Sequence, residues 1–109
     1  MPVVKLSEKE AERVADAMFA LSAPSRVRIL ACLRTGPHAV SEITEAIGME
    51  QSAVSHQLRV LREYRFVRAE RKGRRRMYGL YDDHVAALVD DAVRLVKDLE
   101  TTLPRRASA

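Results

Sequence analysis

The sequence predicts a mainly α-helical domain with one small β-hairpin, in the order α-α-α-α-β-β-α. Three observations predict this class. Apolar residues recur at helical spacing over most of the chain, residues 66–80 alternate apolar and charged side chains around a glycine, and one long apolar stripe follows them. A chain of 109 residues has room for a single core. We therefore expect one domain over residues 7–102, a flexible lead-in at 1–6 and a flexible tail at 103–109.

Composition and cysteine content narrow the class of protein. Hydrophobic residues make up 47% and charged residues 31% of the chain, as in folded proteins with a packed core. No apolar run reaches the roughly 20 residues that span a membrane, and no signal peptide opens the sequence, so we expect a cytoplasmic protein without a membrane partner. Cys32 is the single cysteine, which excludes an internal disulfide and a cysteine-cluster metal site.

The first two helices have separate start signals. Helix 1 is predicted from about Ser7 to Leu21, because the SEKE segment that Ser7 begins is a capping-box signature. Helix 2 is predicted to begin near Pro24, whose missing N–H suits a first helical turn, and to end before the Gly-Pro pair at 36–37. Helix 2 is apolar around much of its circumference, so we expect it in the core, with Cys32 as a small buried hydrophobic residue.

Helices 3 and 4 are joined by a short glycine-containing turn, which is the helix-turn-helix pattern. Helix 3 is predicted from about Val40 to Ile47, and Gly48 can take the left-handed conformation that ends it. Helix 4 is predicted to begin near Gln51 or Ser52. The side chains expected to face inward from these two helices are Val40, Ile43, Ala46, Ile47, Val54, Leu58 and Leu61.

The hairpin is predicted as a strand at residues 66–71, a turn at Lys72-Gly73 and a return strand at 75–80. Two strands alone are marginal, so they must lean on the helices, and the result is a winged helix-turn-helix. A last helix from about Asp83 to Thr101 carries an apolar stripe that the core does not need. We expect this stripe to pair with helix 1 across a two-fold axis and to form a homodimer.

Basic charge is confined to one stretch of the chain. The net charge is +4, yet residues 59–76 hold nine basic and two acidic side chains, or +7, while residues 1–58 and 77–109 sum to −1 and −2. Such segregation is typical of a surface that binds a polyanion, and a solvated charged face is the alternative. A helix that fits a DNA major groove, followed by a basic hairpin, predicts a protein that binds duplex DNA.

Particular side chains suit this role. The exposed N-terminal face of helix 4 is predicted to carry Gln51, Ser52, Ser55, His56 and Arg59. Amide and imidazole groups can hydrogen-bond to base edges, while short hydroxyls suit phosphates and the guanidinium suits either a phosphate or guanine. A capping or packing role for His56 stays open. The wing side chains predicted to hold the backbone or enter the minor groove are Lys72, Arg74, Arg75 and Arg76.

Three segments resemble the ArsR/SmtB family of small bacterial winged-helix repressors. LSAPSRVRIL at 21–30 resembles the family's opening of helix 2, with Ala23 at the usual Asp position. The segment 40–63 resembles the helix-turn-helix, and SAVSHQLRVL is its most specific part. RRRMYGL and DDHV within 74–85 resemble the wing and the start of the last helix. The resemblance covers residues 11 to about 100 and implies a homodimer that binds an operator and, in most members, releases it when an effector binds.

The resemblance also implies a place for an effector metal. Family sensors use cysteines on helix 3, which this chain lacks, or Asp and His residues on paired last helices. Asp82 and His84 match the Asp-x-His half; the other half, usually His-x-x-His, would come from the second subunit at positions that are Leu95 and Asp98 here. The implied ligands are Asp82, His84 and a cross-subunit Asp98, with water, Asp83 or Asp91 filling in. Such an oxygen and nitrogen set suits Ni²⁺ or Co²⁺ at least as well as Zn²⁺.

Other interpretations stay open. Asp82 as a helix cap, with His84 on the surface, is the alternative to a metal site, and His38 is expected in a loop without a companion. A regulator controlled by a redox signal, a small molecule or a partner protein is the alternative function. A protein-interaction module with a basic surface is the alternative outside that class. The sequence has no glycine-rich phosphate loop and no recognisable nucleophile–base pair, so we do not expect an enzyme.

Overall fold

The structure is a computed structural model and describes residues 3–98. Its helices are α1 (Glu8–Ala20), α2 (Pro24–Cys32), α3 (Val40–Ile47), α4 (Gln51–Glu63) and α5 (Asp83–Asp98), with a short 3-10 turn at Leu33–Thr35. Strands β1 (His38–Ala39), β2 (Val67–Lys72) and β3 (Arg75–Leu80) form an antiparallel sheet in the order β1-β3-β2. The predicted winged helix-turn-helix is confirmed, with α3 and α4 as its helix pair and β2 and β3 as its wing. Within residues 3–98, no helix is both long and apolar enough to cross a membrane.

The first helix starts where its capping box predicts. The Ser7 hydroxyl accepts from the Glu10 backbone N–H at 3.1 Å, and the Glu10 carboxylate accepts from the Ser7 N–H at 3.0 Å. The second bond holds the pKa of Glu10 below its usual range. Only Ala20 of α1 is buried, while Val14 and Phe19 are 46% and 70% exposed. In a single chain, α1 therefore joins the core only at its C-terminal end and leaves other apolar side chains uncovered.

The core lies between α2, α3 and α4 and under the root of the wing. Its fully buried large side chains are Ile29, Leu30, Ile43, Val54, Leu58, Leu61 and Val67. The predicted inward set of α3 and α4 is confirmed except for Ala46, which is exposed; Val40 is half-buried and packs against the core. The inward stripe of α3 runs through positions 40, 43 and 47, so position 46 falls at its edge.

The last helix buries side chains in the core through its first half, and Val93 of its second half packs against the core partly buried. Val85 and Val89 are buried, whereas Leu95 and Val96 are 55% and 53% exposed. The predicted end of this helix near Thr101 lies outside the described residues, as does the predicted tail.

Strand β1 was not predicted from the sequence. His38 pairs with Tyr78 and Ala39 with Met77. Two residues are too few to show a strand alternation, and their pairing partners lie about forty positions along the chain. The expectation for His38 is wrong, because this residue lies in a strand with its Nε2 atom 2.9 Å from the Thr35 hydroxyl and its Nδ1 atom 3.9 Å from a Glu42 carboxylate oxygen.

The wing turn lies one residue later than predicted. Lys72 pairs with Arg75, so Lys72 is the last residue of β2 and the turn is Gly73-Arg74. Gly73 has a φ of +62°, a conformation that glycine adopts without a Cβ penalty. Three consecutive arginines follow Gly73. Arg74 is the second residue of the turn, and Arg75 and Arg76 are the first two residues of β3.

Candidate nucleic-acid interface and metal site

Helix α4 turns one face into the core and the opposite face to solvent. Val54, Leu58 and Leu61 have no solvent exposure, which fixes the rotation of the helix about its axis. The exposed side chains include all those predicted on its N-terminal face, namely Gln51, Ser52, Ser55, His56 and Arg59. Glu50, the residue before the helix, makes no side-chain capping bond to it. The first backbone N–H groups of α4 therefore remain available as hydrogen-bond donors. Such a helix end favours an anion.

The position of α4 depends on an arginine that sequence reasoning missed. Arg26, in the first turn of α2, donates through Nη1 to the side-chain oxygen of Gln57 at 3.0 Å. Its Nε atom donates to the Ala20 carbonyl and its Nη2 atom to the Phe19 carbonyl at 3.5 Å. One guanidinium therefore joins the end of α1 to the middle of α4.

The four predicted basic residues of the wing are all exposed. They differ in their partners: Arg75 Nη2 lies 3.3 Å from a Glu42 carboxylate oxygen, whereas Arg76 stacks 5.4 Å from the centre of the Tyr78 ring. The pKa of Glu42 is held below its usual range, first by the Ala39 backbone N–H and further by Arg75. Glu42 is therefore ionised at neutral pH and partly neutralises Arg75. Across residues 3–98, no carboxylate is within 4.0 Å of the charged groups of Lys72, Arg74 or Arg76.

Asp82 and His84 form a two-residue donor pair at the start of α5. The Asp82 Oδ1 atom accepts from the backbone N–H groups of His84 at 2.9 Å and Val85 at 3.2 Å, so it caps the helix. Its Oδ2 atom lies 3.5 Å from Nδ1 of His84, whose side chain is 98% exposed. The Val85 N–H is the main cause that lowers the pKa of Asp82, which keeps the carboxylate ionised. The capping role and the metal half-site are therefore compatible.

Asp98 lies at the opposite end of α5 from this pair. At about 1.5 Å per residue, its Cα is roughly 21 Å along the helix axis from that of His84. One chain cannot bring the three predicted ligands together, and the part of the chain from 3 to 98 contains no group of three or more His, Cys, Asp or Glu side chains that could hold a metal ion. Asp82 and His84 fit a metal only if further donors come from water or from a second copy of the chain. The inter-subunit set remains a prediction.

Cys32 was predicted as a small buried hydrophobic residue; it is half-buried and packs against the core. Burial raises the pKa of its thiol, and the negative charge of Glu42 adds to the increase. A protonated thiol is a poor nucleophile toward oxidants. This environment speaks against a redox switch at Cys32.

Comparison with known proteins gives consistent matches. The profile of the family described as "Bacterial regulatory protein, arsR family" matches residues 23–69. The HTH-type transcriptional regulator NmtR of Mycobacterium tuberculosis is 53% identical over 92 residues, which cover 84% of this chain and 77% of that protein. A transcriptional repressor SmtB homolog of Synechocystis is 40% identical over 76% of this chain and 63% of that protein. The homodimeric winged helix-turn-helix DNA-binding domain of a possible ArsR-family regulator from Mycobacterium bovis superposes with a TM-score of 0.75 at 30% identity, covering 98% of this chain and 99% of that one.

Proposed function

This chain belongs to the ArsR/SmtB family of winged-helix transcriptional regulators, and we propose that it is a homodimeric repressor whose operator affinity depends on Ni²⁺ or Co²⁺. The observation that carries the DNA-binding part is the exposed N-terminal face of α4 beside a wing with three cations free of ion pairs in the described chain. The metal part rests on the adjacent carboxylate and imidazole of Asp82 and His84.

The dimer is supported by apolar surface that a single chain leaves uncovered. Val14 and Met18 of α1 and Leu95 and Val96 of α5 are each about half exposed. Between α1, α2 and α5 runs an apolar groove of about 470 Å³. A second copy that packs its own α1 and α5 against these helices removes this surface from water. A two-fold axis then presents two α4 helices to half-sites roughly 34 Å apart, one turn of DNA.

The α4 and wing residues that we propose to contact DNA form a reading surface, and they differ in which part of the DNA they bind. Gln51 and His56 hydrogen-bond to base edges in the major groove, and Arg59 reaches guanine or a phosphate. The hydroxyl groups of Ser52 and Ser55, on short side chains, donate hydrogen bonds to phosphates. The wing contributes Lys72, Arg74 and Arg76 to the backbone and minor groove, and Arg75 does so to a smaller extent because Glu42 holds it.

Asp82 and His84 of one copy would hold the ion together with Asp98 of the other. Bound there, the metal supplies positive charge that links the two α5 helices. The pair lies directly after β3, and the intervening Tyr81 donates its backbone N–H to the Phe66 carbonyl at 2.9 Å. A change in the orientation of α5 is therefore carried to the base of the wing, which alters the spacing of the two reading surfaces.

The test measures the fluorescence anisotropy of a labelled DNA fragment from the promoter of the gene that encodes this protein. The fragment is titrated with protein in the presence of Ni²⁺, Co²⁺, Zn²⁺ or a chelator. We expect Ni²⁺ or Co²⁺ to weaken DNA binding, His84→Ala to abolish that response, and His38→Ala, the matched control outside the site, to keep it. Leu95→His should strengthen the response because it adds an imidazole one helical turn before Asp98. Loss of the response in both or neither histidine variant contradicts the site.

A second candidate differs only in the signal. Leu95 is apolar, so half of the ligand set that the family resemblance implies is incomplete in this chain. A regulator that responds to a small molecule or a protein co-regulator instead of a metal would keep the same DNA surface. DNA binding that no metal changes in the titration above favours this candidate.

A further inference from the structure

A basic cleft lies between α4 and the wing. Its volume is about 400 Å³, and the residues that line it are Val40, Ser55, Arg59, Arg62, Arg76 and Tyr78. Three of these carry a guanidinium group, two carry a hydroxyl group, and none carries a carboxylate. Arg62 and Tyr78 were not among the residues predicted to contact DNA.

Helix and strand periodicity explain why these side chains converge. Ser55, Arg59 and Arg62 occupy positions i, i+4 and i+7 of α4, which share one face of a helix. Arg76 and Tyr78 occupy alternate positions of β3 and therefore point to one side of the sheet. The Tyr78 ring lies 5.4 Å from the Arg76 guanidinium and restricts its orientation.

The three cations of the cleft lack anionic partners. Throughout residues 3–98, no carboxylate oxygen lies within 4.0 Å of a nitrogen of Arg59, Arg62 or Arg76. Like charges that line one concave surface repel each other and focus a positive potential. A tetrahedral oxyanion offsets part of this positive charge, since the planar guanidinium fork matches phosphate oxygens and the hydroxyls of Ser55 and Tyr78 are neutral donors.

We propose that this cleft binds one phosphate of the DNA backbone, on the strand that separates the major groove at α4 from the minor groove at the wing. The inference rests on the proposed DNA-binding function. The two walls of the cleft belong to the two elements that enter neighbouring grooves, and the backbone between those grooves must pass between the walls. Arg62 and Tyr78 are then DNA-contacting residues, and each dimer has two such phosphate-binding clefts.

The test compares Arg62→Gln with Arg68→Gln in the full chain. Arg68 is exposed on β2 outside the cleft, so the two variants lose the same charge. For an unrelated duplex and the promoter fragment alike, we expect Arg62→Gln to weaken binding about tenfold at physiological salt. The slope of log K against log salt should become less steep by up to about 1.8 per dimer, since each of the two phosphate contacts is worth about 0.9 and Arg59 and Arg76 remain in each cleft. Arg68→Gln should change both quantities much less.

Further measurements separate the possible failures. An Arg62→Gln variant that binds like Arg68→Gln, while the wild-type chain binds DNA normally, overturns the cleft and leaves the proposed function intact. A wild-type chain that binds no duplex overturns both. Inorganic phosphate is the second possible source of the anion: if it raises the Tm of the wild type but not of Arg62→Gln, while DNA affinity is equal, the cleft holds a free anion and the proposal is wrong. Circular dichroism of each variant checks that the fold is unchanged.

Discussion

Arg26 donates to Gln57 at 3.0 Å and joins α2 to α4, the helix whose side chains we propose to contact DNA. The same guanidinium donates to the Phe19 and Ala20 carbonyls at the end of α1, where the last turn has no basic side chain of its own. In the proposed dimer α1 lies at the interface, so this arginine connects the interface to the reading helix.

We expect Arg26→Ala to lower the free energy of unfolding by about 1–3 kcal/mol, because it removes the donor from the partly buried Ala20 carbonyl and from the Gln57 side-chain oxygen. Urea unfolding at a fixed protein concentration measures the change. Arg28→Ala is the control, since Arg28 is exposed on the same helix. A double variant with Gln57→Ala should cost less than the sum of the single variants, and strict additivity would show that the two side chains do not interact.

Arg65 has a φ of +61° in the connection from α4 to β2, a left-handed conformation that costs a side chain with a Cβ about 1–2 kcal/mol. Arg65→Gly should therefore be at least as stable as the wild type in thermal or urea unfolding. Glu63→Gly, two residues earlier at the last residue of α4, should lose stability, by up to about 0.5–1 kcal/mol. Equal losses at both positions would contradict strain at Arg65.

Short-range patterns predicted most of this fold, and long-range contacts account for what they missed. The capping box at Ser7, the stripe of α4 and the hairpin alternation each lie within one element and are readable by spacing. Strand β1, the Arg26–Gln57 bond and the Glu42–Arg75 pair join residues 31 to 40 positions apart, which no local period encodes. The proposed metal site includes Asp98 of a second chain, so a single chain brings together only its first half, Asp82 and His84.

Asp90 and Arg34 form a bidentate ion pair, with both nitrogen–oxygen distances at 2.7 Å. The Arg34 guanidinium holds the pKa of Asp90 below its ordinary value. A carboxylate with a lowered folded-state pKa stabilises the fold above its unfolded pKa, and this contribution is lost as pH falls through the folded value. Asp90→Asn should thus be less stable than the wild type at pH 7, and the two should converge as pH falls below about 4. Asp91→Asn is the neighbouring exposed control; a gap for Asp90→Asn that stays constant with pH would contradict the ion pair.

Glu42 holds Arg75 at 3.3 Å and also accepts the Ala39 backbone N–H at 2.8 Å. Glu42→Gln keeps an oxygen for the backbone bond and removes the charge, so it frees Arg75 for DNA. We expect anisotropy to show severalfold tighter DNA binding near 0.05 M salt, with a smaller gain near 0.3 M because salt screens the added charge, as the Debye length of about 10 Å at 0.1 M implies. Glu45→Gln, exposed on the same helix, should gain less. Arg75→Ala should cost less affinity than Arg74→Ala, and the reverse order would contradict the restraint of Arg75 by Glu42.

The central claim is that α4 and the wing bind duplex DNA, and its most direct test is the salt dependence of wild-type binding to the promoter fragment and to an unrelated duplex. For about 8 neutralised phosphates per dimer, the slope of log K against log salt should be near −7, at roughly −0.9 per contact. Gln51→Ala should narrow the difference between the two duplexes with little change in slope, because an uncharged side chain at a base edge carries specificity rather than charge. A salt response that is flat for the wild-type chain would contradict the account.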